Sequence, residues 1–201
     1  YTQTSEALSE YVVRMTPGQP LSRFWGYKSN GVDPETGMIM YEDYNNDGKI
    51  TSADKHYIGD ANPLFTAGLT NTISWKGLSL SFLLTSSVGN DIYNASRIEM
   101  VGMYTGGNQI KDVLRRWRVP GQVTDIPKAG ELDNLKASTR WIEDGSYLKV
   151  KNITLSYDIK HPALKKANIS RIQPYVTLDN MITFTNYTGY DPEMSQYTSA
   201  T

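Results

Sequence analysis

The sequence contains no cysteine among its 201 residues. Disulfide bonds, cysteine-bound zinc and a thiol nucleophile are therefore excluded. No run of about 18 consecutive apolar residues occurs, so the sequence predicts no transmembrane helix. An excess of positive charge is also missing, since 20 Lys and Arg are balanced by 21 Asp and Glu, for a net charge of −1. Because binding to nucleic-acid phosphates needs clustered positive charge, we expect no nucleic-acid partner.

Catalytic motifs are equally scarce. The sequence has no Ser-His-Asp arrangement, no phosphate-binding glycine loop and no H-E-x-x-H motif, and its two histidines have no partner at metal-ligand spacing. Glu143-Asp144, or Asp191 with Glu193, could act as the acid and base of a glycosidase. Neighbouring acids are common in loops, however, so we expect that the protein is not an enzyme.

Aromatic residues are plentiful by contrast, with 14 Tyr, 4 Trp and 4 Phe. Amphipathic rings of this kind suit a membrane–water interface. They suit a sugar-binding surface equally well, so the composition leaves both alternatives open.

The clearest pattern is a β-hairpin at residues 64–89. Odd positions from Phe65 to Trp75 are mainly apolar, while the even positions are Thr, Ser or Gly. A tight turn at Lys76-Gly77 follows, and the next strand places apolar residues from Leu78 to Leu84 opposite small hydroxyl residues. Soluble one-sided sheets usually carry charged residues on the wet face. Small polar residues facing a lumen and apolar residues facing lipid instead indicate an outer-membrane barrel.

A second pair of strands repeats this alternation at residues 147–159 and 172–184. The polar link between them contains Pro162 and Lys165-Lys166. Pro174 cannot donate a hydrogen bond, so we expect it at a strand start near the barrel rim. The fold class predicted from both pairs is all-β, with antiparallel strands of a large transmembrane β-barrel.

Residues 90–140 form a long connection between the two strand pairs. Its helical signature has apolar residues at i, i+3, i+4 and i+7 before Pro120-Gly121: Ile110, Val113, Leu114 and Trp117. Outer-membrane barrels have short periplasmic turns and long extracellular loops. We therefore expect segments 30–63, 90–140 and 185–201, with short helices, to be extracellular, and the turns at 76–77 and 160–170 to be periplasmic.

Residues 43–54 resemble a calcium-binding loop. Oxygen-bearing groups fall at loop positions 1, 3, 5, 7 and 12: Asp43, Asn45, Asp47, the backbone carbonyl of Lys49, and Asp54. Gly48 occupies position 6, where such loops turn sharply. The sequence predicts a Ca²⁺ site here, but a metal-free turn rich in Asn and Asp would give the same pattern.

Several tyrosines fall in the segments predicted to be extracellular: Tyr93, Tyr104, Tyr187, Tyr190 and Tyr197. Their rings could stack on a sugar or peptide substrate, or bury against a partner protein. Packing within the loops explains each ring equally well.

The order of motifs resembles the C-terminal part of the SusC/RagA-type TonB-linked outer-membrane proteins of Bacteroidetes, over almost the whole chain. The matching segments include G-Q-P-L at 18–21, W-G-Y-K at 25–28, the loop at 43–54, I-G-D-A-N-P at 58–63, G-N-D-I-Y-N at 89–94, T-D-I-P at 124–127, S-T-R at 138–140, E-D-G-S-Y-L-K-V-K-N-I-T-L-S-Y at 143–157 and Y-T-G-Y-D-P-E at 187–193.

This resemblance implies a barrel of about 22 strands with a plugged lumen, located in the cell outer membrane. It implies import of oligosaccharides or peptides, energy from TonB, and a SusD-like surface lipoprotein as partner. Residues 1–201 would then be a C-terminal portion of the barrel, without the plug domain or the last strand. The alternative is a soluble calcium-binding module that binds carbohydrate or docks to a scaffold.

Overall fold

The computed structural model describes residues 12–162, 164 and 168–193. Lys165-Lys166 and Tyr197, which belong to features predicted above, lie outside the described residues. The strands are β1 (Arg23–Gly26), β2 (Ser29–Val32), β3 (Ile39–Tyr41), β4 (His56–Asp60), β5 (Phe65–Trp75), β6 (Leu78–Val88), β7 (Asp91–Tyr93), β8 (Ile142–Asp144), β9 (Tyr147–Tyr157) and β10 (Tyr175–Thr185). The helices are α1 (Ala95–Val101) and 3₁₀-helices at Ser52–Asp54, Lys111–Arg115, Leu132–Leu135 and Thr139–Trp141. None of the helices in the described ranges is long and apolar enough to cross a membrane.

The chain divides into two compact units. The sheet unit comprises Pro63–Gly89 and Gly145–Asn186. The loop unit comprises the described parts of Tyr1–Asn62, Asn90–Asp144 and Tyr187–Thr201.

The sheet unit contains one antiparallel sheet in the order β10-β9-β6-β5. All four strands have 11 residues, which is enough for a tilted β-strand of about 9–11 residues to cross a bilayer. Lys76 and Gly77 form the β5–β6 turn with φ of 47° and 88°. A two-residue turn with both φ positive matches the twist of the strands that it joins. The predicted hairpin is confirmed.

The strand register gives the sheet two different faces. One row across all four strands is Ile73, Leu80, Leu155 and Val176. The neighbouring row is Thr72, Ser81, Thr154 and Thr177. The hydroxyls of the second row bond across strands, with 3.1 Å from Thr72 to Ser81 and 3.0 Å between Thr154 and Thr177. The alternation predicted from the sequence therefore separates an apolar face from a hydroxyl-lined face.

The second strand pair has different limits from those predicted. β9 ends at Tyr157 and β10 begins at Tyr175, while Ile159 and Ile172 form only an isolated bridge. Pro174 has no N–H to donate, but its carbonyl accepts a hydrogen bond from the amide of Tyr157 at 3.1 Å. The proline therefore lies immediately before the strand, as its chemistry requires.

The loop unit is built from small antiparallel pairs: β1 with β4, β2 with β3, and β7 with β8. A cluster of Ile98, Val101, Leu135 and Trp141 forms its buried core. Residues 90–140, which were predicted to be one long loop with short helices, contain β7, α1 and the 3₁₀-helices at Lys111–Arg115 and Leu132–Leu135. Asn94 begins α1 by accepting a hydrogen bond from the amide of Arg97 at 3.2 Å, which satisfies an otherwise unpaired helix N-terminal donor.

The helical signature over Ile110–Trp117 is confirmed only in part. Only a 3₁₀-helix forms, at Lys111–Arg115, and Arg116 is extended with ψ of 151°. Trp117 turns away to form two other hydrogen bonds, from its amide to the carbonyl of Ile126 at 2.9 Å and from its indole N–H to Pro34 at 2.7 Å. Tertiary contacts of the tryptophan therefore override the local periodicity.

Candidate functional site

The loop at residues 43–54 is folded around its own side-chain oxygens. Asn46 and Gly48 reverse the chain with φ of 59° and 80°. The carboxylate of Asp43 accepts hydrogen bonds from the amides of Asp47 at 3.1 Å and Gly48 at 2.7 Å. Asn45 and Asp47 likewise accept bonds from amides two residues ahead, at 3.0 and 2.8 Å. The sequence forms a loop of this shape because Asn, Asp and Gly favour such turns.

Asp54 joins the two ends of the loop. Its side chain is fully buried and accepts hydrogen bonds from the amides of Thr51 at 2.7 Å and Tyr44 at 3.0 Å. The amide of Thr51 lowers the pKa of Asp54 most strongly, burial opposes this effect, and the amide of Asn45 adds to the lowering. Asp54 is therefore an anion that ties both ends of the loop together.

These contacts bear on the predicted calcium ligands. The five groups lie in one loop, and its carboxylates bond to the loop's own amides. Within the described residues, no group of three or more Asp, Glu, His or Cys side chains is arranged to hold a metal ion. To bind a calcium ion, some of these carboxylates would have to rotate away from the loop amides. The side-chain oxygen of Asn45 and the backbone carbonyl of Lys49 would then complete the set of ligands. The calcium site stays a prediction.

Two of the candidate tyrosines pack inside the loop unit. Tyr93 and Tyr104 lie against the buried core cluster, and the ring centroid of Tyr93 is 6.1 Å from that of Phe24. The hydroxyl of Tyr104 donates to Glu99 at 2.5 Å. This hydrogen bond, with burial, raises the pKa of Tyr104 to about 12. Both rings are partly buried and therefore less exposed than the ring of Tyr190.

Tyr187 and Tyr190 lie in one segment with different exposure. Burial, followed by the negative charge of Glu143, raises the pKa of Tyr187. Tyr190 is 96% exposed. Of the four described candidates, Tyr190 is therefore the one whose ring is open to a ligand.

Glu143 is an important residue whose role the sequence did not reveal. Its carboxylate accepts hydrogen bonds from the amide of Thr188 at 2.8 Å, from the hydroxyl of Thr188 at 2.8 Å and from the side-chain amide of Asn94 at 3.0 Å. Arg97 adds an ion pair at 3.4 Å. We call Glu143, Asn94, Arg97 and Thr188 the Glu143 clasp. It fixes the segment that carries Tyr190 onto β8 and the start of α1.

Electrostatics favour the charged form of Glu143. Burial alone raises its pKa, but the hydrogen bonds from Thr188 and Asn94, together with the charge of Arg97, outweigh burial, so the pKa of Glu143 is lowered. The acid–base role considered for Glu143 requires a proton that can be exchanged near neutral pH. A carboxylate held ionised by several donors instead fits a structural role.

The chain is similar in sequence to several curated receptors. It is 29% identical over 191 residues to TonB-dependent receptor P3 of Formosa agariphila, covering 88% of this chain and 19% of that protein. It is 26% identical over 176 residues to TonB-dependent receptor SusC of Bacteroides thetaiotaomicron, covering 84% of this chain and 16% of that protein. The chain thus spans about a sixth to a fifth of the length of these relatives. No protein-family model matches it.

Solved structures show the same architecture. The RagAB peptide transporter superposes with a TM-score of 0.75 and 26% sequence identity, covering 90% of this chain and 22% of that chain. The RagAB peptide importer in its "open-open" state gives a TM-score of 0.72 at the same identity. The antiparallel strands predicted from the alternation are therefore arranged as in a known transporter.

Proposed function

We propose that the chain belongs with the SusC/RagA-type TonB-dependent receptors of the outer membrane and forms part of the barrel wall and loops of a nutrient importer, as its similarity to these receptors and to RagAB suggests. The sheet unit contributes neighbouring wall strands. The loop unit contributes ordered extracellular structure, including the segment that carries Tyr190.

The two-faced sheet is the observation that carries this proposal. Ile73, Leu155 and Val176 lie in one row and are 59%, 46% and 63% exposed. Soluble monomers rarely expose a continuous apolar surface of this kind, whereas lipid would cover it. The small hydroxyl side chains on the other face suit the lumen. The same observation argues against the alternative of a soluble carbohydrate-binding or docking module.

Substrates and partners are inferred from the relatives. SusC is a TonB-dependent receptor by name, and RagAB is a peptide transporter. We infer that the full receptor imports oligosaccharides or peptides with energy from TonB and with a SusD-like lipoprotein as partner. Tyr190 is then a candidate substrate contact, because an exposed ring can stack on a sugar or a peptide side chain. A catalytic role is not part of this proposal.

Uptake by intact cells tests the proposal. Fluorescently labelled oligosaccharides and peptides are supplied to the source bacterium, to a strain lacking the full-length receptor gene and to a strain lacking TonB. We expect one ligand class to enter wild-type cells and to be excluded from both deletion strains. A matched control is re-expression of the receptor, which should restore uptake. Unchanged uptake of every ligand in the receptor-deletion strain would contradict an import function.

We further propose that the loop at residues 43–54 binds Ca²⁺ in the full receptor. Its support is the spacing of Asp43, Asp47 and Asp54, together with the reversal of the chain at Gly48. A bound cation would neutralise the acidic side chains that it draws together, and it would stabilise the loop between β3 and β4.

Thermal unfolding of the full-length receptor with calcium or with a chelator tests this site. Calcium should raise the Tm of the wild type, and the double substitution Asp43→Ala with Asp47→Ala should abolish the increase. Asp33→Ala is the matched control, because Asp33 also accepts bonds within a turn, from Glu35 and Thr36. A calcium response that persists in the double variant would rule out this loop as the site.

A further inference from the structure

Arg140 is a partly buried cation with incomplete pairing. It lies in the 3₁₀-helix at Thr139–Trp141, and its Nη1 donates to the backbone carbonyl of Asp125 at 2.9 Å. Its Nε is inaccessible to solvent and has no hydrogen-bond partner. The guanidinium lies 5.1 Å from the ring centroid of Trp141, which provides an apolar surface and a weak cation–π contact.

The carboxylate whose charge acts on Arg140, and the one three residues further along the chain, are both engaged by other cations. Both oxygens of Asp125 accept bonds from Arg115, at 3.2 and 2.9 Å. Glu143 is held by Arg97 and by the rest of the Glu143 clasp. Within the part of the chain that the structure describes, Arg140 itself forms no ion pair with a carboxylate.

The electrostatic surroundings of Arg140 are unfavourable for its charge. Burial lowers the pKa of Arg140, and the positive charge of Arg97 lowers it further, while the negative charge of Asp125 only partly compensates. An arginine nevertheless stays protonated in proteins. A buried charge without a counter-charge is costly, and native structures almost always pair it.

We propose that Arg140 binds a carboxylate from a part of the receptor beyond these 201 residues. This inference rests on the proposed function in one respect, namely that the chain belongs to a larger barrel protein. The planar guanidinium offers N–H donors that match a carboxylate. Its Nε is closed to solvent, so Nη2, which forms no hydrogen bond with the described residues, is the donor that a carboxylate from outside this chain can reach. Because the curated relatives are about five times longer than the matched region, most surfaces that could meet the loop unit lie outside this chain.

A high-resolution structure of the full-length receptor in detergent tests the pairing directly. We expect a carboxylate oxygen of a residue outside this chain within about 4 Å of the Arg140 guanidinium, the usual limit for an ion pair. A guanidinium that contacts only water, a small anion or a carboxylate of these 201 residues would overturn the proposal. Failure of the proposed function would look different, because the same map would then lack a closed barrel containing β5, β6, β9 and β10.

Charge exchange provides the functional test. Arg140→Gln should lower the Tm of the full-length receptor, whereas Arg118→Gln should leave it unchanged, because the Arg118 side chain is exposed and, among the described residues, donates only to the nearby carbonyl of Leu114 at 3.5 Å. Arg140→Glu should be more damaging. Combining it with conversion of the newly identified acid to Arg should restore the Tm. An Arg140→Gln receptor that melts like the wild type would count against a pairing of any importance.

Discussion

Glu143 joins three segments that are distant in sequence, through a single carboxylate. Its partners are Asn94 and Arg97 at the start of α1, and Thr188 beyond β10. Each contact is a hydrogen bond to a charged group, which is stronger than a bond between neutral groups. The segment 187–193 is therefore fixed at its beginning, and Tyr190 projects into solvent from a supported position.

Glu143→Gln should loosen this segment. A neutral amide accepts weaker bonds and presents an N–H₂ group to donors, so we expect the free energy of local opening at Thr188 to fall by about 1–3 kcal/mol. Hydrogen exchange of the Thr188 amide in the full-length receptor measures this change. Glu42→Gln is the control, because Glu42 forms an exposed pair with Lys28 at 3.0 Å that should contribute about 0–1 kcal/mol. Wild-type protection of Thr188 in the Glu143 variant would contradict the clasp.

Gly37 permits close packing with Trp117. It has a φ of 73°, and a Cβ at this position would collide with the indole ring. The Trp117 indole N–H bonds to Pro34 in the same turn. The glycine therefore allows the β2–β3 turn to lie against the connection that follows the Lys111–Arg115 helix.

Gly37→Ala should destabilise this contact by the sum of two effects. Positive φ costs about 1–2 kcal/mol for a residue with a Cβ, and the clash with Trp117 should add about 1–3 kcal/mol. Gly121→Ala separates the effects, because Gly121 has a φ of 84° with no atom within 4 Å of a Cβ. Hydrogen exchange at the Trp117 amide of the full-length receptor is the readout. Equal effects of the two substitutions would show that the clash is unimportant.

Single residues of the site were only partly predictable. The turn at Gly48 and the buried Asp54 follow from local spacing, because each contact of the 43–54 loop lies within twelve residues of its partner. Glu143 was mistaken for one of two adjacent loop acids, since its partners at positions 94 and 188 are brought to it only by the tertiary fold. No local pattern identifies such a contact.

At the level of elements, β6 shows what alternation can predict. It lies between β5 and β9, and Leu80 faces Ile73 and Leu155 across the sheet. Its neighbour Ser81 faces Thr72 and Thr154 on the opposite side. Adjacent residues of one strand therefore have opposite environments, which provides a matched pair of substitutions.

Leu80→Arg should prevent correct assembly of the full-length receptor, whereas Ser81→Arg should be tolerated. A lipid-facing arginine costs up to about 2–4 kcal/mol, depending on its depth in the membrane, while a lumen-facing one avoids this cost. Heat-modifiable migration of the receptor from isolated outer membranes reports assembly. If the two variants assembled equally well, the assignment of the faces would be wrong.

Long elements with regular alternation were predicted well, whereas short elements give little periodic signal. The 11-residue strands β5 and β6 display period two over most of their length, and β9 displays it on either side of a register shift at Lys151. The loop unit contains strands of three to five residues, too short to establish any period. The helix predicted at Ile110–Trp117 forms only as a 3₁₀-helix at Lys111–Arg115, because Trp117 bonds to Pro34 and Ile126 instead. The seven-residue α1 has only two buried residues, Ile98 and Val101, which are too few to define a helical period.

For the whole molecule, motif order carried more information than any single pattern. Alternation alone indicated a two-faced β-sheet. The resemblance added the receptor family, which the similarity to SusC and to RagAB supports. The division into a sheet unit and a loop unit was not predicted, because each unit combines segments that are separated along the chain by segments of the other unit.

The lipid-facing assignment of the sheet is the central claim, and spin-label accessibility along β6 tests it most directly. Single cysteines are introduced at Ser79, Leu80, Ser81 and Phe82 of the full-length receptor in lipid, and this chain contributes no competing thiol. We predict high accessibility to oxygen at Leu80 and Phe82, and to a water-soluble nickel reagent at Ser79 and Ser81. Accessibility to the nickel reagent that is equally high at all four positions would contradict a membrane-embedded strand.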